Sequence, residues 1–451
     1  MAICSKTLVE FSLNHLPHTP TKLAILHITI YLFKINTTPC YFRFVIVDIS
    51  IGMIALKGTN KMTDNHQIRV EIAGTINSIP AELWDACANP TENNYDPFVS
   101  HAFLKALEDS ETIRPQTGWQ PTHLILKTPG CEIEGCMPLY VKSHSRGEYV
   151  FDHSWADAFK RIGGIYYPKL LSAVPFTPVT GRRLLIRPGK NYIEREKHLI
   201  DGAIELTHSY NLSSLHINFL SEQEWIRTGE AKLLKRTDQQ FHWLNQNYTS
   251  FEDFLSGLVS RKRKAIRKER LQAIQRGISI EWLNGTDIKE SHWDSLYLFY
   301  LDTSKKKWGH PYLNRKFFSL LGATLSEKCL LIMVSKDGRY IAGALNMIGG
   351  NCLYGRYWGS IEHFPCLHYE VCYYQAIDFA IRHKLKRIEA GAQGEHKLSR
   401  GYLPTPTYSS HYILNPYFRQ AVASFLSNEL TYVKHSRNAL LKLGPYRNIS
   451  Y

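Results

Sequence analysis

The sequence predicts an α/β (α+β) protein built from two tandem copies of one unit, on three observations. The segment GAIELTHSYNLSSLHINF at 202–219 aligns without gaps to QAIDFAIRHKLKRIEAGA at 375–392, an offset of 173. Upstream, Trp84-Asp85 matches Trp293-Asp294 at 209, Pro97-Phe98-Val99 with Phe103 and Leu107 matches Pro311-Tyr312-Leu313 with Phe317 and Leu321 at 214, and Gly135 matches Gly343 at 208. Each copy alternates apolar residues at helical spacing with short apolar runs of strand length. The division expected is an extension at 1–61, a first unit at 62–245 and a second at 246–451, with a basic helix at 251–277 inserted between the copies.

Composition sets the outer bounds. The 451 residues carry 54 Lys and Arg against 40 Asp and Glu, a net charge of +14. That balance favours anionic partners such as phosphorylated carriers, RNA or acidic membrane surfaces, and is silent about fold. The nine cysteines include no CxxC pair, and Cys131 and Cys136 have no His nearby, so reduced buried thiols are expected in place of disulfides or zinc. Walker A and HExxH patterns do not occur and no pair has metal-ligand spacing, so no metal is expected.

The first 61 residues read differently from the rest. Leu23 to Phe33 and Phe44 to Leu56 are apolar runs, each short of the ~20 residues of a spanning helix. No small-residue cleavage site follows a basic start, so a secretory signal is not expected and a cytoplasmic location is. A more ordinary pattern begins at Lys61-Met62-Thr63-Asp64. The expectation is that natural translation starts at Met62 and that residues 1–61 are not part of the native fold; the alternative is a membrane-associating leader.

Within each copy the order reads strand, helix, helix, a hairpin of strands, then helix and strand. The helices come from the Trp84 to Leu107 and Trp293 to Leu321 stretches. The hairpins come from Leu124 to Val141 and Leu331 to Ile348. The offset falls from 208 at the hairpin to 173 at the final helix, so the first copy carries 35 extra residues. They are placed at 151–185, which opens FDHSWADAFKRIGG and runs on through YYPKLLSAVPFTPVTGRR. Long irregular loops in compact domains are commonly functional.

Several groups in this framework carry chemistry. Asp152, His153, Trp155 and Asp157 cluster at the start of the insertion, and carboxylate or imidazole serves as a general base. The structural alternative is that Asp152 caps a helix through Phe159. Lys169, after Tyr166-Tyr167-Pro168, would present a cation to phosphate or carboxylate, or sit solvated beside core tyrosines. The run Arg261 to Arg270 has seven positive side chains and one negative. Arg261, Arg263 and Arg267 are its candidate contacts to nucleic-acid phosphates or an acidic membrane, against a merely solvated face. Lys307, in Lys305-Lys306-Lys307-Trp308, adds a second basic patch. Arg356, in Tyr354-Gly355-Arg356-Tyr357-Trp358-Gly359, would line a substrate cleft or belong to an aromatic-packed hairpin. Glu389, Glu395 and His396 are alternative acid–base groups in EAGAQGEHK at 389–397, and Lys397 is a candidate substrate contact. Consecutive residues seldom point the same way, so Glu395, His396 and Lys397 are not expected to act together.

The hairpin, strand–loop–helix and further strand follow the order of a GNAT-type acyltransferase. Tandem GNAT-like domains with SRKRKAIRKER at 260–270 leading into Gly277-Ile278-Ser279-Ile280 resemble the Fem peptidoglycan aminoacyltransferases. Phe151 to Arg183, Arg261 to Arg270 and Glu389 to Lys397 more closely resemble the FemAB-like family. Its members are predicted N-acyltransferases of the GNAT superfamily, described as peptidoglycan biosynthesis or recognition proteins. The resemblance runs from about Met62 to the C-terminus. It implies two GNAT-like acyltransferase domains and a central strand near Ser172-Ala173-Val174-Pro175. It also implies a carrier-binding turn at Thr177, Thr180, Gly181, Arg182 and Arg183, where backbone N–H groups would hold a pyrophosphate. This turn has one Gly followed by two Arg, where the usual GNAT loop is Gly-rich.

The activity implied is transfer of an acyl or aminoacyl group from acyl-coenzyme A or charged tRNA, as co-substrate, to an amine such as a cell-wall precursor. No tightly bound cofactor is implied. Partners would include tRNA and peripheral contact with an acidic membrane. The alternative is a non-catalytic module that keeps the fold and recognises cell-wall precursors or nucleic acid. The site is expected between the copies, with residues from both.

Overall fold

The computed structural model describes residues 68–128, 132–274, 277–306, 309–391 and 394–447, with the backbone of three short strands nearer the N-terminus. Those three, β1 (Cys4–Leu8), β2 (Thr29–Phe33) and β3 (Ile46–Asp48), pair antiparallel in that order, and residues 1–64 form a unit separate from 65–451. The remainder of the expectation about residues 1–61 lies outside the described residues, as does Lys307.

The first copy opens with β4 (Arg69–Ala73) and two helices, α1 (Ala81–Ala88) and α2 (His101–Asp109). Ser100 caps α2 by accepting from the Phe103 N–H, and Trp84 donates from Nε1 to the Val99 carbonyl at 2.7 Å, which fixes the two helices together. The hairpin follows as two broken strands, β5 (Trp119–Pro121) with β6 (His123–Lys127), and β7 (Ile133–Met137) with β8 (Tyr140–Lys142). Pro138, which has no N–H to give the ladder, lies at the second break, and the Thr122 N–H bridges to the Leu139 carbonyl at 2.8 Å. Next come α3 (His153–Arg161), β9 (Lys169–Ser172), β10 (Leu185–Ile186), α4 (Tyr192–Ser209), β11 (Ser214–Leu220), α5 (Glu222–Glu230) and β12 (Leu234–Leu244).

Two helices, α6 (Phe251–Ser256) and α7 (Ser260–Ala273), precede β13 (Ile278–Asn284). The second copy continues with α8 (Glu290–Lys306), α9 (Arg315–Leu325), β14 (Cys329–Lys336), β15 (Arg339–Ile348) and β16 (Cys352–Ser360). The helix after β16 is interrupted. A turn of α10 (Leu367–Tyr369) passes through a π-helical segment, Glu370–Tyr374, into α11 (Gln375–Arg382). Then come β17 (Arg387–Glu389), β18 (Leu403–Ile413) and α12 (Pro416–Lys442).

The strands assemble as one eleven-stranded sheet, β13-β14-β15-β16-β17-β12-β18-β11-β9-β8-β5, beside a four-stranded sheet, β10-β7-β6-β4. The expected order of elements is present in both copies. Each copy has one parallel pair, β9 with β11 and β16 with β17, and the rest of the sheet is antiparallel. The copies exchange their last strands. β12 of the first copy pairs with β17 of the second, β18 of the second pairs with β11 of the first, and β12 and β18 pair with each other. His216 faces His411 and Glu389 faces His242 across these junctions. The repeat therefore extends through β12 and β18 at an offset of 169, beyond the elements the sequence alignment reached.

The strand registers also divide the 35 extra residues. Leu170 faces Leu215 and Leu353 faces Ile388 in the two parallel pairs, which gives an offset of 183 between the hairpin value of 208 and the later 173. So 25 of the 35 lie between β8 and β9, including α3, and 10 lie between β9 and α4. The insertion is two pieces flanking a strand, where one block at 151–185 was expected. The strand itself is Lys169–Ser172, so only Ser172 of the expected central strand belongs to it. A shared apolar core joins the copies: the Phe103 and Phe317 rings meet edge-to-face at 5.8 Å, and those of Phe98 and Tyr354 at 5.1 Å. Burying each such ring contributes about 1.5–3 kcal/mol, part of which comes from the other copy.

Candidate active site between the two copies

A cleft of about 820 Å³ opens where β16 and β17 part, within the range that holds drug-sized ligands. The last register pair of these strands is Tyr354 with Glu389, and the cleft wall begins just beyond it, at Gly355, Arg356, Ala390 and Gly391. The first copy supplies Ser145, Tyr149, His153 and Thr177. The second supplies Tyr300, Asn346, Arg356, Tyr357, Tyr373, His396 and Lys397. The π-helical segment sets Cys372 and Tyr373 on this wall, in keeping with the tendency of such segments to occur at functional sites.

His396 lies in a short 3-10 segment after β17, and its Nε2 is 2.9 Å from the Tyr373 hydroxyl. Partial burial, with Arg400 and Lys397 nearby, lowers its pKa, so the imidazole is neutral at pH 7. Lys397 donates to the carbonyls of Ala390 at 2.7 Å and Gly391 at 3.1 Å, closing the loop that follows β17. Arg356 donates from Nη1 to the carbonyls of Gly355 at 2.8 Å and Glu389 at 3.3 Å. Glu389 lies beneath the wall, not on it. Its Oε1 is 3.2 Å from Arg387 Nε and its Oε2 is 3.8 Å from Arg356 Nη2. Glu395 is exposed and outside the lining. His153 lines the cleft and stacks on Phe151, and Asp157 is exposed on α3 away from the lining.

Several sequence-predicted contacts are instead buried structure. Lys169 is fully buried and donates to Asp152 Oδ2 at 2.5 Å, Glu148 Oε2 at 2.8 Å and Ser145 Oγ at 2.8 Å, so it does not meet a phosphate. Asp152 occupies the N-cap position of α3 but makes no capping hydrogen bond; its carboxylate takes Lys169 and the Tyr166 hydroxyl, the latter at 2.7 Å. Burial raises the Asp152 carboxyl, but Lys169 and His216 outweigh it and hold it well below the usual carboxylate range. A buried, ion-paired carboxylate of this kind is a poor base, so Asp152 is not the group the chemistry needs. Trp155 is buried against His216 and His411 at 6.2 and 5.0 Å, not against substrate.

The expected carrier turn is also corrected. Arg183 is fully buried and donates to the carbonyls of Val179 at 2.6 Å and Arg182 at 2.9 Å. Arg182 donates to the carbonyls of Cys87 at 3.0 Å and Ala88. A Cβ on Gly181 would lie 2.5 Å from Asp96 Oδ2, so Gly181 is there for close packing. The Thr180 hydroxyl is buried within the same turn, and only Thr177 of the five reaches the cleft. The backbone N–H groups of Gly181 and Arg183, which the pyrophosphate would need, donate instead to the Phe219 carbonyl at 3.0 Å and Glu224 Oε1 at 2.9 Å. Arg261, Arg263 and Arg267 lie on α7 outside the cleft lining; Arg267 pairs with Glu252, while Arg270 anchors the helix to Glu370 at 2.9 Å and Asp378 at 2.8 Å.

The sequence reading missed a buried polar chain. From Lys169 and Asp152 it runs through Tyr166 to His216 Nε2 at 3.3 Å, and His216 Nδ1 meets His411 Nδ1 at 2.7 Å on the exchanged strand. Burial lowers both imidazoles, His216 to about 3, so both are neutral and one donates to the other. Burial likewise raises Glu148 to about 7 and lowers Lys142 to about 6, with Lys142 Nζ 3.5 Å from the centre of the Trp119 ring. A signal for this chain was available: at the offset of 173, His216 is the repeat counterpart of Glu389.

Two copies of strand, helix pair, hairpin, parallel strand pair and exchanged last strand make this a mixed α/β fold built twice over. The family model for FemAB-like proteins, described as peptidoglycan biosynthesis/recognition, matches residues 75–448, and the chain belongs to that family. None of the curated proteins compared with the chain matches it. Among solved structures, FemX is similar at 13% identity over 76% of this chain and 98% of its own, with a TM-score of 0.48. The C-terminal domain of a putative lysylphosphatidylglycerol synthetase from Agrobacterium fabrum is similar at 9% identity over 78% and 97%, also with a TM-score of 0.48. A tandem GNAT protein from the clavulanic acid biosynthesis pathway is similar at 10% identity over 78% and 99%, with a TM-score of 0.42. Among the described residues no helix is long and apolar enough to cross a membrane, and no group of His, Cys, Asp and Glu is placed to hold a metal ion.

Proposed function

We propose that the chain is an N-acyltransferase that moves an acyl or aminoacyl group from acyl-coenzyme A or aminoacyl-tRNA to an amine, in the cleft between its two copies. The observation that carries this reading is His396, a neutral imidazole on the wall of a cleft built from both copies. In the reaction the acceptor ammonium gives its proton to His396 and the free amine attacks the donor carbonyl carbon. The C–N bond forms, and the bond to the carrier sulfur or oxygen breaks as that atom regains a proton. The hydroxyl of Tyr373, 2.9 Å from Nε2, orients the ring. Membership of a family described by peptidoglycan biosynthesis/recognition supports a cell-wall precursor as the amine. The exposed basic face of α7 supports tRNA over coenzyme A as carrier, since an extended polyanion calls for extended positive surface.

The test is incubation of the full chain with labelled acetyl-coenzyme A or charged tRNA against an amine panel that includes cell-wall precursors. Transfer is expected to fall by about 100-fold or more in His396→Gln, the usual scale of a lost general base. Tight binding of a donor with no transfer to any acceptor would instead make the protein a recognition module.

A further inference from the structure

Arg356 follows the point where β16 and β17 separate. One edge of its guanidinium is spoken for, because Nη1 donates to two carbonyls. The other edge, Nε and Nη2, has no hydrogen-bond partner among the described residues, although the side chain is only 3% exposed. Glu389 Oε2 is 3.8 Å from Nη2, beyond hydrogen-bond reach, and is likewise without a donor. Buried donors of a charged group left unmade carry a substantial free-energy penalty, which a ligand anion paired with this edge would relieve.

The surroundings indicate by what. The guanidinium lies 5.0 Å from the Phe98 ring centre and 5.2 Å from that of Tyr354. Its charge acts on the hydroxyls of Tyr149 and Tyr357, both on the cleft wall. Thr177, on the same wall and 2% exposed, also has a hydroxyl with no partner. Arg183, Arg387 and Lys397 join Arg356 around this floor against Asp96, Glu224 and Glu389, four cations to three anions. Arg183 and Lys397 each donate to two carbonyls, and Arg183 Nε is a further buried donor without a partner among the described residues. Arg356 alone leaves a planar pair of donors on one edge, the geometry that pairs with the two oxygens of a carboxylate.

We infer that the Arg356 edge, on the same cleft wall as Thr177, receives a free carboxylate on the acceptor substrate. This rests on the acyl-transfer reading of the cleft. The carboxyl group that the donor transfers is tied up in the reacting thioester or ester, so we assign the free carboxylate to the amine. The acceptor class is then an amine that also carries a carboxylate, such as an amino acid or peptide.

Calorimetric titration of the full chain tests it without turnover. The probes are N-acetylphenylalanine, its neutral amide and phenyl phosphate, chosen because the wall is aromatic. The acid is expected to bind about tenfold or more tighter than the amide, and Arg356→Lys to lose about the same factor, because a charge-assisted pair has that worth. Arg356→Gln should reduce the acid to the level of the amide, while Arg114→Gln, a surface change, leaves it unaltered. Equal or undetectable binding of acid and amide by the unaltered protein overturns the inference, as does undiminished binding by Arg356→Lys. Tighter binding of phenyl phosphate than of the acid overturns it too. Should Arg356→Gln not fold, the acid–amide comparison decides alone. Carboxylate binding without any acyl transfer would sink the enzymatic reading and leave the subsite standing.

Discussion

Replacing Lys169 with Met should be among the most damaging single changes in the first copy. Lys169 Nζ is within 2.8 Å of both Glu148 and Asp152, and all three side chains are at most 1% exposed. Met keeps the length and removes the charge, leaving two buried acids facing each other. Breaking a buried pair by deleting one partner costs about 3–5 kcal/mol. Glu148, whose carboxyl burial already raises to about 7, limits the loss by taking up a proton. Asp152, held low chiefly by Lys169 once burial is overcome, has its carboxyl driven upward. In the variant both acids then have folded-state pKa values above their unfolded ones, so stability is lost as pH rises through those values, and the deficit is larger at pH 8 than at pH 5.5. Lys142→Met is the internal control. Burial lowers its ammonium to about 6, so at neutral pH the change removes little charge and costs less than about 1 kcal/mol. Urea unfolding followed by tryptophan fluorescence at the two pH values reads the difference. Equal costs for the two Met variants, or a Lys169→Met loss that does not grow with pH, would refute the reasoning.

Two further outcomes follow from the same geometry. His216 and His411 are neutral when folded but titrate near 6.5 when unfolded, so between about pH 6.5 and pH 3 the unfolded chain binds the extra protons. Stability should therefore fall on acidification by about 1.4 kcal/mol per pH unit for each histidine, partly offset by Glu148 below pH 7, and His411→Gln should remove one histidine's share of the slope in a pH series of unfolding curves. In Gly359→Ala the new Cβ would lie 2.0 Å from the backbone oxygen of Phe299 in α8, the helix that brings Tyr300 to the cleft. A loss of about 1–3 kcal/mol is expected from overpacking, with weaker ligand binding, whereas Gly74→Ala, which meets nothing within 4 Å, should be neutral in thermal unfolding.

The amino-acid sequence by itself determined the repeat, the order of elements and the family, because those follow from local periodicity and from residues compared along the chain. Ala203 with Ala376, and Leu215 with Ile388, are buried alike in both copies, as their shared pattern required. It also located the cleft in outline: His153, Thr177, Arg356, His396 and Lys397 were all singled out and all line it. What it misjudged were charged residues whose partners the fold supplies from inside the protein. Lys169 and Arg183 look like phosphate ligands along the chain, yet one is neutralised by acids 17 and 21 residues away and the other is fully buried, with Nη1 and Nη2 on carbonyls of its own turn. The meeting of His216 with His411, 195 residues apart, depends on the exchange of β12 and β18. Strand exchange leaves no mark on local periodicity, since each strand satisfies the same alternation beside either neighbour. Only tertiary structure decides which neighbour it has, and with that which charges are buried and which edge of Arg356 stays open.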